Sequence, residues 1–209
     1  MSTPDAVLLL HGAWMNQLVM AYLGYMLRGE GFAAQALTYH TMRETLEEHL
    51  AQVAKRVVSL DARRVHLVGH SLGGVIALRY LQRAPDERVR RVVLIGAPVA
   101  GCRAAMEFSR SSAGKVVLGR SLGLWSGPID VSLGAGFEVG GIAGTRSIGL
   151  GRIFAQLPTP NDGVVCLDET KLPAMRDHIV LPVAHSEMLV SPSVGRQVAA
   201  FLKTGAFRR

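Results

Sequence analysis

The segment that decides the fold is residues 65–74, which read Val-His-Leu-Val-Gly-His-Ser-Leu-Gly-Gly. Its apolar beginning predicts a short buried strand, and Val75, Leu78 and Leu81 after it have helical spacing. Ser71 stands between the two in the pattern G-x-S-x-G, which on a strand–turn–helix unit holds a serine exposed above the sheet. The alternative is a glycine-rich connection without chemistry, which the strand before and the helix after disfavour. The segment therefore predicts a nucleophilic serine.

Apolar runs and capping signals alternate along the rest of the chain. Short continuous apolar runs are typical of strands buried on both faces, as in parallel sheets. Strands are predicted at residues 7–10, 32–37, 65–68, 89–95, 137–143 and 179–183. Helices are predicted at 14–28, at 46–60 behind a Thr41–Glu44 capping box, after the serine turn, and from Ser191-Pro192 onward.

This alternation predicts the fold class. Strands followed by helices from end to end indicate an α/β fold with a doubly wound, mostly parallel six-stranded sheet and helices on both faces. No internal repeat or linker interrupts the pattern, so residues 1–209 are expected to form one domain. The chain is long enough to bury a core of its own.

Composition limits the class of protein. The chain is 49% hydrophobic and 19% charged, which excludes disorder. No apolar run reaches the 18 residues of a membrane span, and the polar start does not resemble a signal peptide. We therefore expect a cytoplasmic location without stable membrane insertion. Two cysteines, Cys102 and Cys166, are too few for a disulfide framework, although one bridge remains open.

The net charge is +7, from 23 Lys and Arg against 16 Asp and Glu. The positive residues are scattered and no aromatic residues are interleaved with them, so nucleic-acid binding is not favoured. We interpret them as a solvated surface, with weak attraction to anionic lipid or an acidic substrate as the alternative. They include Arg63, Arg64, Arg79, Arg83, Arg88, Arg90, Arg91, Arg110, Lys115, Arg120, Arg208 and Arg209.

A nucleophilic serine needs backbone donors for the oxyanion that forms when it attacks a carbonyl. The Leu72 N–H lies at the start of the helix, where donors are unpaired and the helix dipole favours negative charge. A second donor is expected from His11-Gly12-Ala13-Trp14, which ends the first strand, and Ala13 N–H is the candidate. Metal-ligand spacing and a G-x-G-x-x-G phosphate cradle are absent, so we expect neither metal nor cofactor.

The serine also needs a base. His185 follows the last predicted strand and should share an edge of the sheet with Ser71, because parallel strands end at one edge. His178 begins the same strand and should lie at the opposite edge. His49 is expected to face solvent, His66 to be structural and His11 to shape its loop. The histidines of the chain are His11, His40, His49, His66, His70, His178 and His185.

A carboxylate should orient the base, in the chain order serine, acid, histidine. Asp162 in Asn161-Asp162-Gly163 is favoured because it lies between the last two strands, although a plain turn is the alternative for this tripeptide. Asp168 and Glu169, expected at a solvated helix start, are the second choice. The candidate acids between the serine and the base are Glu107, Asp130, Glu138, Asp162, Asp168, Glu169 and Asp177.

Four motifs together resemble the α/β-hydrolase superfamily, and specifically its compact lipase and esterase members. They are residues 11–14, 69–74, 161–165 and 184–186. The resemblance implies a minimal α/β-hydrolase fold in which Ser71 is the nucleophile, Asp162 the acid and His185 the base, with Ala13 and Leu72 as oxyanion-hole donors. Compared with larger members, this sequence is expected to omit the first two antiparallel strands and a long inserted cap domain.

This resemblance implies a serine hydrolase that cleaves a small, possibly lipid-like carboxylic ester. Alternatives on the same fold are a thioesterase, a cofactor-free perhydrolase and a C–C hydrolase; a weakly catalytic ligand-binding protein is the alternative of another class. Trp14, His70 and Trp125 are the expected substrate-binding residues.

Residues 101–136 lack clean periodicity and are rich in glycine and serine. They are expected to form a small flap over the substrate, with a crossover helix packed on the sheet as the equal alternative. The side chains expected to line the substrate pocket from this segment are Met106, Phe108, Leu124 and Trp125.

Overall fold

The structure, a computed structural model, describes residues 3–83, 85–125, 129, 136–149 and 156–209. Six strands form one sheet in the order β2-β1-β3-β4-β5-β6, and every pair of neighbouring strands is parallel. The strands are β1 (Ala6–Leu10), β2 (Ala33–Ala36), β3 (Val65–His70), β4 (Val89–Ile95), β5 (Glu138–Gly144) and β6 (Asp177–Leu181). The predicted fold class is confirmed.

Helices cover both faces of the sheet. They are α1 (Ala21–Gly29), α2 (Leu46–Val58), α3 (Leu72–Arg83), α4 (Arg103–Phe108), α5 (Ser112–Leu118) and α6 (Pro192–Thr204). Leu8 and Leu10 of β1 pack in one apolar cluster with α2 and α3, whereas Val7 and Leu9 pack in a second cluster with α1 and α6. Successive side chains of a strand point to opposite faces, so a fully apolar strand supplies both layers.

The first helix begins later than predicted. The backbone of Trp14 has a φ of +57°, which an α-helix does not allow, so the chain makes a loop before a 3₁₀ turn at Gln17–Met20 and then α1. The side chain of Asn16 accepts a hydrogen bond from Leu18 N–H and caps the turn. Residues 11–16 therefore belong to the edge of the sheet where the strands end.

The predicted capping box of α2 is wrong by one turn. Thr45 caps the helix, its Oγ1 accepting from Glu48 N–H at 3.2 Å while the Glu48 carboxylate accepts from Thr45 N–H at 2.6 Å. Glu44 instead accepts from His40 N–H. Thr41–Glu44 and Thr45–Glu48 have the same T-x-x-E spacing, so the local pattern could not distinguish between them.

The end of the chain differs less from the prediction. Strand β6 occupies Asp177–Leu181 rather than 179–183, and α6 begins at Pro192 with Ser191 as its cap, as predicted. Asp177 is accommodated in the strand because its carboxylate accepts from Phe207 N–H at 2.8 Å and from the Arg209 guanidinium at 2.7 Å.

Residues 101–136 contain more regular structure than the sequence indicated. Helices α4 and α5 and a 3₁₀ segment, Gly119–Trp125, occupy most of the described part. Helices of fewer than two turns leave no periodic signal in a sequence window. Residues 126–128 and 130–135, which include the candidate Asp130, lie outside the described residues, and a movable flap stays a prediction.

None of the helices in the described ranges has the length and apolarity needed to cross a bilayer. The cytoplasmic location stays a prediction. Cys102 and Cys166 are both buried and free of a disulfide.

Close packing explains the glycines around Ser71. A Cβ on Gly73 would lie 2.3 Å from the Leu10 carbonyl oxygen, and one on Gly69 would lie 2.4 Å from the Gly74 nitrogen. In both cases the obstacle is backbone, which cannot rotate away as a side chain can. The start of α3 is therefore pressed against the ends of β1 and β3, and only glycine fits.

We predict that Gly73→Ala lowers the free energy of unfolding by at least about 2 kcal/mol, because the added methyl group must push two backbone segments apart. The matched control is Gly29→Ala at the exposed end of α1, where a Cβ would meet nothing within 4 Å. That variant should be neutral or more stable by up to about 1 kcal/mol. Urea unfolding measures both, and equal stabilities of the two variants would contradict the packing argument.

Candidate active site

Ser71 lies in a strained turn at the end of β3. Its φ is +54°, in the left-handed region that a residue with a Cβ rarely adopts. The turn is held by hydrogen bonds from Ser71 N–H to the Ile95 carbonyl and from Gly74 N–H to the Ser71 carbonyl, both 2.9 Å long. Such strain persists only where neighbours enforce it, and it is found mainly at functional sites.

The loop after β1 lies against this turn. A Cβ on Gly12 would be 3.1 Å from Ser71 Cβ, so the backbone of the loop passes directly beside the serine. Neither Ala13 N–H nor Leu72 N–H donates a hydrogen bond to another residue in the described part of the chain. These are the two donors that the sequence predicted for an oxyanion hole.

An aromatic stack supports the same loop from behind. Tyr39 is buried, its hydroxyl donates to the His11 carbonyl at 2.5 Å, and its ring stacks on the His11 imidazole with centroids 4.1 Å apart. The His49 ring meets Tyr39 edge-on at 5.3 Å. His49 is buried rather than solvent-facing as predicted, and burial lowers the pKa of both imidazoles.

His185 and Asp162 form a buried pair. His185 Nδ1 lies 2.7 Å from Asp162 Oδ2, and His185 N–H donates to the Asp162 carbonyl at 2.9 Å. The other carboxylate oxygen, Oδ1, accepts from the N–H groups of Val164 and Val165 at 2.9 and 2.7 Å. Because the carboxylate accepts on both oxygens, the His185 proton lies on Nδ1 and the Nε2 lone pair is free to act as a base.

The turn that carries Asp162 is built by its neighbours. Asn161 Oδ1 accepts from Gly163 N–H at 2.9 Å, and Gly163 has a φ of +96°. At the end of β4, Gly96 has a φ of +55°, and a Cβ there would lie 3.2 Å from both Asp162 Oδ2 and His185 Nδ1. Sequence reasoning missed Gly96, although its position directly after a strand, at the edge shared with Ser71, was a usable signal.

The other candidate acids have other partners. Asp168 makes a bidentate pair with Arg103 at 2.8 and 2.6 Å, which lowers the pKa of its exposed carboxyl. Glu169 was expected at a solvated helix start but is buried, where it accepts from Arg103 N–H and Cys166 N–H. Burial raises the pKa of Glu169. Glu138 begins β5 at the opposite edge of the sheet and pairs with Arg91.

Ser71 and His185 both line a cleft at the edge of the sheet where the strands end. The cleft encloses about 780 Å³, counting the space open to solvent. Its walls are mainly apolar. The lining residues are Gly12, Ala13, Trp14, Met15, Ser71, Cys102, Ala104, Ala105, Phe108, Leu118, Trp125, Gly149, Val164, His185 and Ser186.

The two tryptophans expected at the substrate both reach this cleft. Trp14 Nε1–H donates to the Val117 carbonyl at 3.1 Å and so joins the loop after β1 to α5. Trp125 Nε1–H donates to Ser121 Oγ at 3.0 Å. Phe108 also lines the cleft as expected, whereas Met106 and Leu124 do not. Ala104 and Ala105 of α4, and Cys102 directly before it, also line the cleft, which the sequence did not indicate. Burial raises the pKa of Cys102 to about 12, so its thiol is neutral.

The structure does not place His70 in the lining. Its side chain is fully buried below the cleft, where Nε2–H donates to the His185 carbonyl oxygen at 3.1 Å. Burial lowers the pKa of His70 to about 3. His66, also buried, faces Asp5, and His178 in β6 contacts Thr170 at the hydroxyl. The chain therefore brings Ser71, Asp162 and His185 together and keeps these three other histidines outside the cleft.

A metal site is not formed by the part of the chain that the structure describes. Three or more His, Cys, Asp or Glu side chains that could share an ion do not come together there.

Comparison with known sequences identifies related proteins. Residues 20–113 match the family described as alpha/beta hydrolase fold. A 90-residue segment is 36% identical to the non-heme chloroperoxidase of Streptomyces lividans and covers 40% of this chain. The segment covers 31% of that protein, so the chain spans about a third of the length of this relative.

Solved structures extend the similarity over nearly the whole chain. The mature Bacillus licheniformis lipase BlEst2 superimposes with a TM-score of 0.76 at 16% identity, covering 96% of this chain and 93% of the lipase. The esterase EaEST of Exiguobacterium antarcticum gives a TM-score of 0.69 at 13% identity, covering 98% and 94%. At these identities the similarity establishes the fold.

Proposed function

Because the chain has the fold of the α/β-hydrolase superfamily, we propose that it is a serine hydrolase that cleaves carboxylic esters through an acyl-enzyme intermediate. One observation carries the proposal. Ser71 and His185 line the same apolar cleft, and His185 is held by a buried carboxylate 2.7 Å from its Nδ1. A nucleophile, a base with a free nitrogen and an orienting acid are the parts that acyl transfer by serine requires.

In the first half of the proposed reaction, Ser71 Oγ attacks the ester carbonyl carbon and its proton passes to His185 Nε2. Asp162 stabilises the imidazolium through the Nδ1–H bond. The carbonyl oxygen becomes an oxyanion, and the unpaired N–H groups of Ala13 and Leu72 are the donors that would bind it. The intermediate then collapses, the alcohol leaves with the proton from Nε2, and the acyl group stays on Ser71.

The second half uses the same groups in reverse. A water molecule gives its proton to His185 Nε2 and its oxygen attacks the acyl carbonyl carbon. Collapse of the second tetrahedral intermediate releases the carboxylic acid, and Ser71 Oγ recovers its proton from His185. The buried pair of His185 and Asp162 does not need to reorganise between the two halves, which is the advantage of a preorganised site.

The substrate is proposed to be a small, largely apolar ester. Aromatic and aliphatic side chains dominate the cleft. Among the described residues that line it, the titratable groups are His185 and the neutral Cys102 thiol. Burial of an apolar acyl group against these walls is favourable by about 0.8 kcal/mol per methylene. The structural neighbours named as a lipase and an esterase agree with this substrate class.

Perhydrolysis is a second candidate, favoured by the sequence match to a protein named non-heme chloroperoxidase. The same acyl-enzyme would react with hydrogen peroxide instead of water and release a peracid, with no other change in the balance of atoms. Adding hydrogen peroxide to an ester assay and measuring peracid against carboxylic acid distinguishes the two reactions.

Ser71→Ala should abolish hydrolysis of p-nitrophenyl butyrate. Because the variant removes one oxygen and no core volume, we expect kcat to fall by about 10⁴-fold or more while the melting temperature stays near that of the wild type. The matched control is Ser59→Ala at the exposed end of α2, which should keep full activity. A folded Ser71→Ala protein that retains most of its activity would rule out the proposed nucleophile.

The choice of acid is tested by two aspartates. Asp162→Asn should lower kcat by up to about 10⁴-fold, because an amide holds the wrong tautomer of His185 and cannot stabilise its cation. Asp168→Asn is the control; it removes only an exposed pair with Arg103, worth about 1 kcal/mol or less, and should leave kcat within about three-fold. The reverse order of effects would show that the acid is wrongly assigned.

The cleft wall in α4 should set acyl chain length. Ala105→Leu fills cleft volume, so kcat/KM for p-nitrophenyl octanoate relative to butyrate should fall about ten-fold or more. Met106→Leu is the matched control, because the neighbouring residue lines a different cavity. An unchanged chain-length profile in Ala105→Leu would place the acyl group elsewhere.

A further inference from the structure

We propose that His70 is a positioning residue that holds the backbone of His185 over Ser71; this rests on the proposed function of both residues. His70 is the last residue of β3 and directly precedes the serine. Its imidazole Nε2–H reaches the His185 carbonyl oxygen at 3.1 Å, so a side chain of the nucleophile's own strand binds the backbone of the base.

The sheet order explains why such a contact is needed. Strands β4 and β5 lie between β3 and β6. Neighbouring strands are about 4.8 Å apart, so the ends of β3 and β6 are separated by roughly 14 Å. The loop that carries His185 must therefore cross two strand ends to approach Ser71. His185 N–H and Nδ1 both bond to Asp162, which follows β5, whereas its carbonyl is held from the β3 side by His70.

The His70 ring also contacts the loop after β1, which carries the proposed oxyanion-hole donor Ala13. Its centroid lies 4.7 Å from that of His185, and a Cβ on Gly12 would lie 3.1 Å from His70 Nδ1. One buried ring thus touches the base and the loop that carries Ala13, and its backbone leads directly into Ser71. A displacement of about 1 Å in such a constellation can cost on the order of 100-fold in rate.

The protonation state of His70 fits this role. A carbonyl oxygen only accepts, so His70 carries its proton on Nε2, and Nδ1 is buried without a hydrogen-bond partner in the described part of the chain. Burial keeps the ring neutral at neutral pH. A neutral ring does not oppose the positive charge that His185 acquires when it accepts the Ser71 proton.

Three variants separate hydrogen bonding from simple space filling. His70→Gln places an amide N–H donor near the position of Nε2 and remains neutral. His70→Leu fills similar space without a donor. His70→Asn carries a donor near the position of Nδ1, but its side chain is too short for this donor to reach the His185 carbonyl. If the ring only fills space, the losses should follow volume; if it positions His185, they should follow the presence of a donor at Nε2.

The experiment measures kcat and KM for p-nitrophenyl butyrate, with melting temperatures, for the wild type and the three variants. We expect His70→Leu and His70→Asn to lower kcat by about 30-fold or more with KM within about three-fold, and His70→Gln to stay within about five-fold of the wild type. The proposal is overturned if His70→Leu keeps kcat within about three-fold, or if His70→Gln folds but is as impaired as His70→Leu.

A measurement on the wild-type protein keeps the test decisive if the variants do not fold. Nuclear magnetic resonance should detect a scalar coupling between His70 Nε2 and the carbonyl carbon of His185 through the hydrogen bond. Absence of this coupling, with Nε2–H in free exchange, would overturn the proposal. If the wild type shows the coupling but hydrolyses no ester, the proposed function fails and the contact between the two residues stands on its own.

Discussion

The left-handed backbone of Ser71 is the constraint on which the rest of the candidate site depends. A serine with a φ of +54° is unfavourable in isolation, so the surrounding structure must enforce the conformation. Enforcement comes from Gly69 and Gly73, which bring the start of α3 against the strand ends, and from the hydrogen bond to the Ile95 carbonyl at the end of β4. The result of this turn is a serine that lines the cleft, although only 6% of its surface is exposed, and that directly precedes the unpaired N–H of Leu72.

The parallel sheet supplies the other groups. All six strands end at one edge of the sheet, so the loops after β1, β5 and β6 lie at the same edge as the serine. Ala13, Asp162 and His185 are carried by these loops and are therefore close to Ser71 although they are far from it in the sequence. Fine alignment is a separate requirement, and buried side-chain bonds provide it. Asp162 holds His185 from one side, and His70 is proposed to hold it from the other. The short helices α4 and α5 then close the apolar wall of the cleft.

The features that depend on local sequence patterns and on the topology of a parallel sheet could be predicted from the sequence. The fold class followed from apolar runs and capping signals, and the meeting of Asp162 with His185 followed from the rule that parallel strands share an edge. Burial of individual polar residues could not be predicted, because it depends on tertiary neighbours. His49 was expected to face solvent and Glu169 to lie at a solvated helix start. Both are buried: the His49 ring packs edge-on against Tyr39, and the Glu169 carboxylate accepts a hydrogen bond from Arg103 N–H. His70 is a third example: it was expected to contact the substrate, but tertiary neighbours bury it beneath the cleft.

Trapping the covalent intermediate tests the central claim most directly. The protein is mixed rapidly with p-nitrophenyl acetate, quenched in acid during the first turnovers, digested and mapped by mass spectrometry. The account predicts one acetyl group on the peptide that contains Ser71, formed together with the first equivalent of p-nitrophenol and lost on longer incubation. Turnover with no acyl adduct, or an adduct on a different residue that forms and decays at the rate of turnover, would contradict the account.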